Sequence, residues 1–255
     1  MSQVEVLISA MNQKDSSIFR RTNIQSKALM INQCNGENYW EEKQKYGLLK
    51  IISTKERGLS NSRNMAIENA SGEYALLCDD DELLYDGYPQ IIEKAFEDNP
   101  KADIICFQIK RNGKKYSNNC FKLGFLSSLK IASWQICIKL SSLKKNNVMF
   151  DSNFGAGTPI GSGEENIFLF DCLKKGLSLY YVPICIGEVA QKNSTWFKGF
   201  NQLYFFNRGR IIRRMMGFIF GLVYCFYFVI SKYSRYKSNL TFKSACLNIL
   251  KGFFV

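Results

Sequence analysis

Short apolar runs alternate with amphipathic stretches over most of this chain. The runs "VEVLIS" (Val4–Ser9), "ALMINQ" (Ala28–Gln33), "LLKIIST" (Leu48–Thr54) and "EYALLC" (Glu73–Cys78) are rich in large and β-branched residues and predict strands. A polar turn at Asn12–Asp15 follows the first. Between the third and fourth, "GLSNSRNMAIENASG" (Gly58–Gly72) carries helix punctuation: Ser60 or Asn61 as cap, Met65, Ala66 and Ala70 as an apolar stripe, and Gly72 as stop. A helix is predicted around Gln90–Glu97, closed by Asn99 and Pro100, then a strand over Ala102–Lys110. The polar stretch Asn112–Leu126 predicts loop and edge structure. "EENIFLFDCLKKG" (Glu164–Gly176) reads as a helix ended by glycine, and "LSLYYVP" (Leu177–Pro183) as the next strand. Strands alternating with helices predict an α/β layer fold.

Composition narrows the chemistry. With 255 residues, 46% of them hydrophobic, the chain can bury one good core with an appendage. Its mean hydropathy of −0.15 argues against a polytopic membrane protein. The first strand begins almost at Met1, so no secretory signal is expected. The nine cysteines form no CxxC and sit mostly in apolar company, which predicts buried, reduced thiols. Histidine is absent. That excludes Ser-His-Asp and Cys-His nucleophilic sites and histidine metal cages, leaving carboxylates as acid, base or metal ligand. The net charge of +12 is unevenly placed: eleven Lys or Arg and no Asp or Glu follow Glu188, so the body is nearly neutral.

Three features carry candidate chemistry. "LLCDDDELL" sets Asp79, Asp80, Asp81 and Glu82 at the end of a predicted buried strand, where open α/β sheets bind ligands. In extended backbone Asp79 and Asp81 share a face, and two hard oxygen ligands suit Mg²⁺ or Mn²⁺ holding substrate phosphates. A solvated turn whose aspartates cap the next helix remains the alternative. Arg63 stands in the first turn of a predicted helix, where a cation opposes the macrodipole; an anionic ligand or an ordinary surface position both account for it. "NFGAGTPIGSGEEN" (Asn153–Asn166) is a glycine-rich loop that delivers Glu164 and Glu165 to a helix start, as ligand-handling loop or as plain helix capping.

In this order, "VEVLISAMN", "GLSNSRN", "ASGEYALLCDDDE" and "SGEEN" resemble the motifs of family 2 glycosyltransferases over roughly residues 3–190. The resemblance implies a GT-A fold, a Rossmann-like mixed sheet flanked by helices, and metal-dependent, inverting transfer of a sugar from a nucleoside diphosphate donor, UDP in the first instance. It implies Asp81 and Asp79 on a Mn²⁺ or Mg²⁺ ion. Ser9, Asn12, Asn32, Gln33, Arg63, Asp79 and Asp80 would bind the donor, Glu165 would be the catalytic base, and Glu164 and Gly163 would lie at the acceptor. Two positions depart from the family: Glu165 where aspartate is usual, and Asn32 and Gln33 where paired aspartates often stand near the nucleobase. A sugar nucleotidyltransferase would want glycines after the first strand, which "SAMNQKDSS" lacks. A non-catalytic membrane adaptor would show no metal-dependent affinity for UDP.

The compositional break near residue 190 divides a catalytic domain, 1–190, from a basic, aromatic helical region, 191–255. Met215–Ile230 is uncharged but shorter than the ~20 residues that span a bilayer, and basic residues flank it on both sides. An in-plane or re-entrant helix on an anionic membrane surface is expected, with "LTFKSACLNILKGFFV" as a second amphipathic helix; a soluble subdomain covering the core is the alternative. The uncharged run gives phosphates nothing to hold, so nucleic acid is not expected as a partner. Together these features predict a cytoplasmic enzyme, peripheral on the inner face of the cell membrane, that extends a surface polysaccharide or lipid-linked saccharide.

Overall fold

A computed structural model describes residues 2–189, 197 and 199–255. The buried apolar runs become β1 (Val4–Met11), β2 (Lys27–Gln33), β4 (Gly47–Thr54) and β5 (Tyr74–Asp79), all parallel, with β1 between β2 and β5. An edge strand, β3 (Asn38–Gln44), folds back on β4. Beyond β5 lies β9 (Ile136–Lys139), antiparallel both to β5 and to β7 (Ile104–Lys110). Next to β7 runs β10 (Leu179–Val189), in parallel, which also pairs with the short β6 (Glu82–Leu84) and β8 (Phe121–Leu123). The result is one ten-stranded mixed sheet.

Alternate side chains of the central strands feed two cores. Val6, Ile8, Ala28 and Met30 meet Ile18 and Phe19 of α1 (Ser17–Arg21) and Tyr88, Ile92 and Phe96 of α3 (Tyr88–Asp98). Leu7, Leu29 and Ile31 meet Ala66 and Ile67 of α2 (Leu59–Asn69), Leu140 and Leu143 of α5 (Leu140–Asn146), and Phe168 and Leu169 of α6 (Glu164–Lys174). Each strand is covered on both faces, which is why it reads as an apolar run rather than an alternation. Buried Glu5 on β1 accepts the backbone N–H groups of Ser71 and Gly72, both at 2.6 Å, fixing the turn into β5. A short helix, α4 (Phe125–Ser128), packs near α6.

Several boundaries differ from the sequence reading. The acidic run does not continue β5: Asp80 and Asp81 form a turn into β6, so strand alternation does not describe Asp79 and Asp81. Neither Ser60 nor Asn61 caps α2, whose N-cap is Gly58 at φ 104°. The strand over Leu177–Pro183 starts two residues later and runs on to Val189.

The C-terminal region forms α7 (Gln202–Met216), α8 (Phe218–Tyr236) and α9 (Phe242–Phe253), with a core of Phe205, Ile212, Val229, Tyr236, Ile249 and Phe253. The uncharged run is broken by Gly217, at φ 72°, and belongs to two helices. α7 and α9 cross at glycines: a Cβ on Gly252 would lie 1.8 Å from the Phe206 carbonyl oxygen, and one on Gly209 2.0 Å from that of Ile249. α7 also docks on the sheet domain. Ile211 and Met215 pack with Phe154, Ile160, Ile167 and Phe170, and Arg214 reaches Asp151 at 2.7 Å and Asp171 at 2.8 Å. The 190/191 boundary drawn from composition lies at the edge of residues outside those described. Among the described residues no helix is long and apolar enough to cross a membrane.

Candidate active site

The carboxyl ends of β1 and β5 are in register, Ser9 opposite Asp79. The first turns of α2 hang the glycine-rich loop over them. Leu59 N donates to Ala156 O at 2.9 Å, and the Ser60 hydroxyl donates to Phe154 O at 2.7 Å. Asn64 holds Phe150 by both its backbone groups, at 2.8 and 2.9 Å. Gly157 faces Gly58 so closely that a Cβ would sit 3.1 Å from the Gly58 Cα. Glycine at these positions permits the positive φ and the approach together.

Arg63 occupies the middle. Its side chain is 3% exposed; Nη2 lies 3.1 Å from Asp79 Oδ1 and Nη1 3.1 Å from Glu164 Oε1. Its guanidinium also lies over the Phe150 ring, 5.5 Å from the centroid. Beside it, the Ser62 hydroxyl donates to Ser9 Oγ at 2.9 Å. One buried cation therefore joins the acidic strand end to a helix start 101 residues beyond Arg63 itself. A charge so enclosed must be paired, and both partners supply hydrogen bonds.

Around this bridge the other acids take distinct places. Asp80 is exposed and Asp81 partly buried. Glu82, 4% exposed, accepts from Asp79 N at 2.8 Å through Oε1, and its Oε2 has no hydrogen-bond partner among the described residues. Burial, then the neighbouring Asp79 charge, pushes the Glu82 carboxyl well above the usual range. Gly163, at φ 91°, turns the chain into α6; a Cβ there would strike Ile211 at 2.9 Å. Buried Glu164 packs against Gly155. Glu165 is pushed up to about 8, by burial first and then by the Glu164 charge, with Arg63 and Arg208 pulling the other way.

The predicted nucleobase end stands one strand over. Asn12, at φ 53°, donates its N–H to Gln33 O at 3.1 Å. Asn32 clamps the Gln13 backbone, accepting from N and donating to O at 2.9 Å each, while Gln33 is buried. Thus Ser9, Arg63, Asp79 and Glu164 converge, with Glu165 beside them, while Asn12, Asn32 and Gln33 shape the neighbouring strand ends.

Sequence reasoning passed over a second cluster beyond β7. Lys114 donates to Gln135 Oε1 at 2.5 Å and lies over Tyr116 and Trp134; Arg111 covers the same indole at 5.2 Å. The Trp134 N–H is buried without a hydrogen-bond partner among the described residues. Burial, then Arg111, pushes Lys114 down to about 8. A cleft of about 90 Å³ between Ile160–Ser162 and α7 is lined by Asn207 and Arg208. Arg208 stacks on Tyr204 and Phe228, and its buried Nε has no partner among the described residues. The only signal for either cluster in the sequence is the proximity of basic and aromatic residues.

Among the described residues no group of three or more Cys, Asp or Glu side chains is gathered to hold a metal. Asp79 and Asp81 offer two hard carboxylates, a set that suits Mg²⁺ or Mn²⁺ when a ligand brings further oxygens, since Mg²⁺ keeps several non-protein ligands.

The family model for glycosyl transferase family 2 matches residues 16–158. Among solved structures, residues 1–349 of S. aureus TarS in complex with UDP-GlcNAc superpose with a TM-score of 0.66 at 13% identity, over 98% of this chain and 80% of that one. The same fragment in complex with UDP gives 0.64 over 98% and 79%, again at 13% identity. No curated protein matches in sequence.

Proposed function

The chain belongs to glycosyl transferase family 2 and has the GT-A fold; it is a glycosyltransferase, and we propose that it moves a sugar from a UDP-linked donor to a hydroxyl of a saccharide or lipid-linked saccharide acceptor, in metal-dependent, inverting fashion. The observation that carries this reading is the Arg63 bridge, which joins Asp79 at the acidic end of β5 to Glu164 at the start of α6 at the mouth of the sheet. The UDP-GlcNAc and UDP bound in the TarS structures support a nucleotide sugar as donor.

In this reading the donor lies across the ends of β1, β2 and β5, with its nucleobase toward Asn12, Asn32 and Gln33 and its diphosphate toward Asp79–Asp81. Asp79 and Asp81 would hold a divalent cation, which supplies Lewis-acid stabilisation of the charge on the departing diphosphate. Glu165 takes the proton of the acceptor hydroxyl as that oxygen bonds to the anomeric carbon and the sugar–phosphate bond breaks. The electron pair of the broken bond leaves with the diphosphate, and the anomeric configuration inverts. Glu164 and Gly163 bound the acceptor side. Arg63 acts as a positioning residue, holding Asp79 and Glu164 rather than reaching into solvent. In the same reading the enzyme works at the cytoplasmic face of an anionic membrane in surface polysaccharide synthesis, a reading supported by eleven basic and no acidic residues after Glu188.

The test is calorimetric titration of UDP with and without Mn²⁺, for the wild type and Asp81→Asn, alongside turnover of UDP-sugars. Mn²⁺-dependent UDP affinity that disappears in Asp81→Asn is expected. Undiminished turnover in that variant, or full activity in EDTA, would refute the metal-dependent reading.

A further inference from the structure

α8 turns two unlike faces outward and inward. Gly221, Cys225, Phe228, Val229 and Tyr236 are buried against α7 and α9. On the opposite side Ile219, Phe220, Val223, Phe226, Tyr227, Ile230 and Tyr233 are 46–78% exposed. At 100° per residue these seven fall within an arc of about 140°, and at 1.5 Å per residue the stripe is roughly 20 Å long. α9 extends it at both ends: Phe254 lies against Phe218, and Phe242 against Tyr233. So long a run of exposed large apolar side chains marks an interaction surface.

Charge identifies the occupant. After Glu188 the chain carries eleven basic residues and no acidic one. Arg214 is committed to Asp151 and Asp171, but Arg213, Arg235, Lys237, Lys243 and Lys251 are exposed. They stand at the two ends of the α8–α9 hairpin. Arg213 covers the Phe218 and Phe253 rings at one end, and Arg235, Lys237 and Lys243 flank the other. A second copy of this face would set cation against cation. An anionic bilayer offers hydrocarbon to the stripe and phosphates to its ends. Tyr227 and Tyr233, apolar rings with polar tips, suit the headgroup boundary.

We propose that α8 is the membrane-docking face of this protein, lying flat in the interface of an anionic bilayer with the Ile219–Tyr233 stripe in the acyl boundary and the flanking Arg and Lys residues among the headgroups. This rests on the membrane reading given above and names the face that makes it. Neither α8 nor α9 crosses the bilayer, and the buried side of α8 stays on α7 and α9.

The test uses the full chain and vesicles of phosphatidylcholine with roughly one-third phosphatidylserine. The variant Ile219→Ser/Phe220→Ser/Val223→Ser/Ile230→Ser changes only exposed positions, and unchanged UDP binding reports an intact fold. Co-sedimentation should fall about tenfold or more in the variant. In a separate protein, Phe220→Trp should shift its emission to the blue on vesicles. If the wild type fails to sediment, the membrane reading itself is lost, and this inference with it. If the wild type and the serine variant sediment equally, or Phe220→Trp binds without a spectral shift, another face makes the contact and only this inference falls. If the wild type dimerises and the serine variant becomes monomeric with no vesicle binding in either, a second copy is the occupant. If vesicle binding behaves as expected but no UDP-sugar is turned over, the transferase reading fails while the docking face stands.

Discussion

Replacing Arg63 by methionine removes the cation but keeps most of the apolar stem beside Phe150. Both carboxylate contacts are 3.1 Å long, and Glu164 is the more enclosed partner, its side chain 8% exposed against 28% for Asp79. At an effective dielectric of about 20, a pair of unit charges some 4 Å apart attracts by about 4 kcal/mol, and desolvation of the arginine offsets much of that. Removing one member of a buried pair nevertheless costs about 3–5 kcal/mol, because the remaining charge is stranded. Asp79 is better solvated and contributes less, so the lower end, about 3 kcal/mol at pH 7, is expected in urea unfolding. If the stranded Glu164 is the cause, Arg63→Met/Glu164→Gln should regain roughly 1–3 kcal/mol relative to the single variant. Arg63 also draws the raised Glu165 downward, so its loss should move the rising limb of kcat/KM to higher pH. A loss under about 1 kcal/mol together with an unmoved pH profile would refute the claim that this bridge holds the site.

Glu165→Gln should cut kcat by ~10²–10⁴ without changing UDP affinity, and wild-type kcat/KM should climb until pH passes about 8, since the base must be ionised; a flat profile there would remove Glu165 from the role. The same carboxyl is neutral when folded and ionised when unfolded between its ordinary value and about 8, so wild-type stability should decline as pH rises through that window and Glu165→Gln should flatten the decline, as urea unfolding across pH would measure. Gly252→Ala puts a methyl 1.8 Å from the Phe206 oxygen and should destabilise the C-terminal helices by about 1–3 kcal/mol, seen as a lower Tm; an unchanged Tm would contradict the close crossing. Arg214→Ala should cost about 1 kcal/mol or less, diminishing in salt because the side chain is 37% exposed, and a larger salt-independent loss would contradict that account.

The strands at the centre of the sheet were legible because burial on both faces leaves an unbroken apolar run, as in β1 and β2. β3 escaped detection because only Trp40 among its residues is even partly buried, and its register comes from pairing with β4 rather than from a hydrophobic pattern. β9 has four residues and passes directly into α5, too short to show a period. At the site, Arg63 was singled out as a first-turn cation, but α2 begins at Leu59 and sets it in the second turn, where its partners and not the helix dipole decide its place; the absence of histidine reduced the candidates to carboxylates. Its partner Glu164 was beyond local reasoning, since no periodicity encodes a contact across 101 residues. Ser60 satisfied the rules for a cap, yet α2 already begins at Leu59, and the Ser60 hydroxyl donates to the Phe154 carbonyl of the glycine-rich loop. Lys114, Trp134 and Arg208 left only basic residues near aromatic ones as a signal; which of them meet is set by the loops that the fold brings together.

The short strand β9 divides the sheet more deeply than its length suggests. On one side the parallel strands β1, β2, β4 and β5 carry Ser9, Asn32, Gln33 and Asp79; on the other, β7 and β10 border Arg111, Lys114 and Trp134. Among the described strands, β5 and β7 are joined by the four residues of β9, of which Ile136, Cys137 and Ile138 are fully buried. A register shift in the far block therefore reaches the pairing of the near one through β9, while side chains of the two blocks meet in the shared cores on either face. Under the proposed reading, which sets the donor on the parallel block, replacements bordering β7 and β10 leave the donor side's strand pairing intact, so the acceptor side can vary on a constant frame.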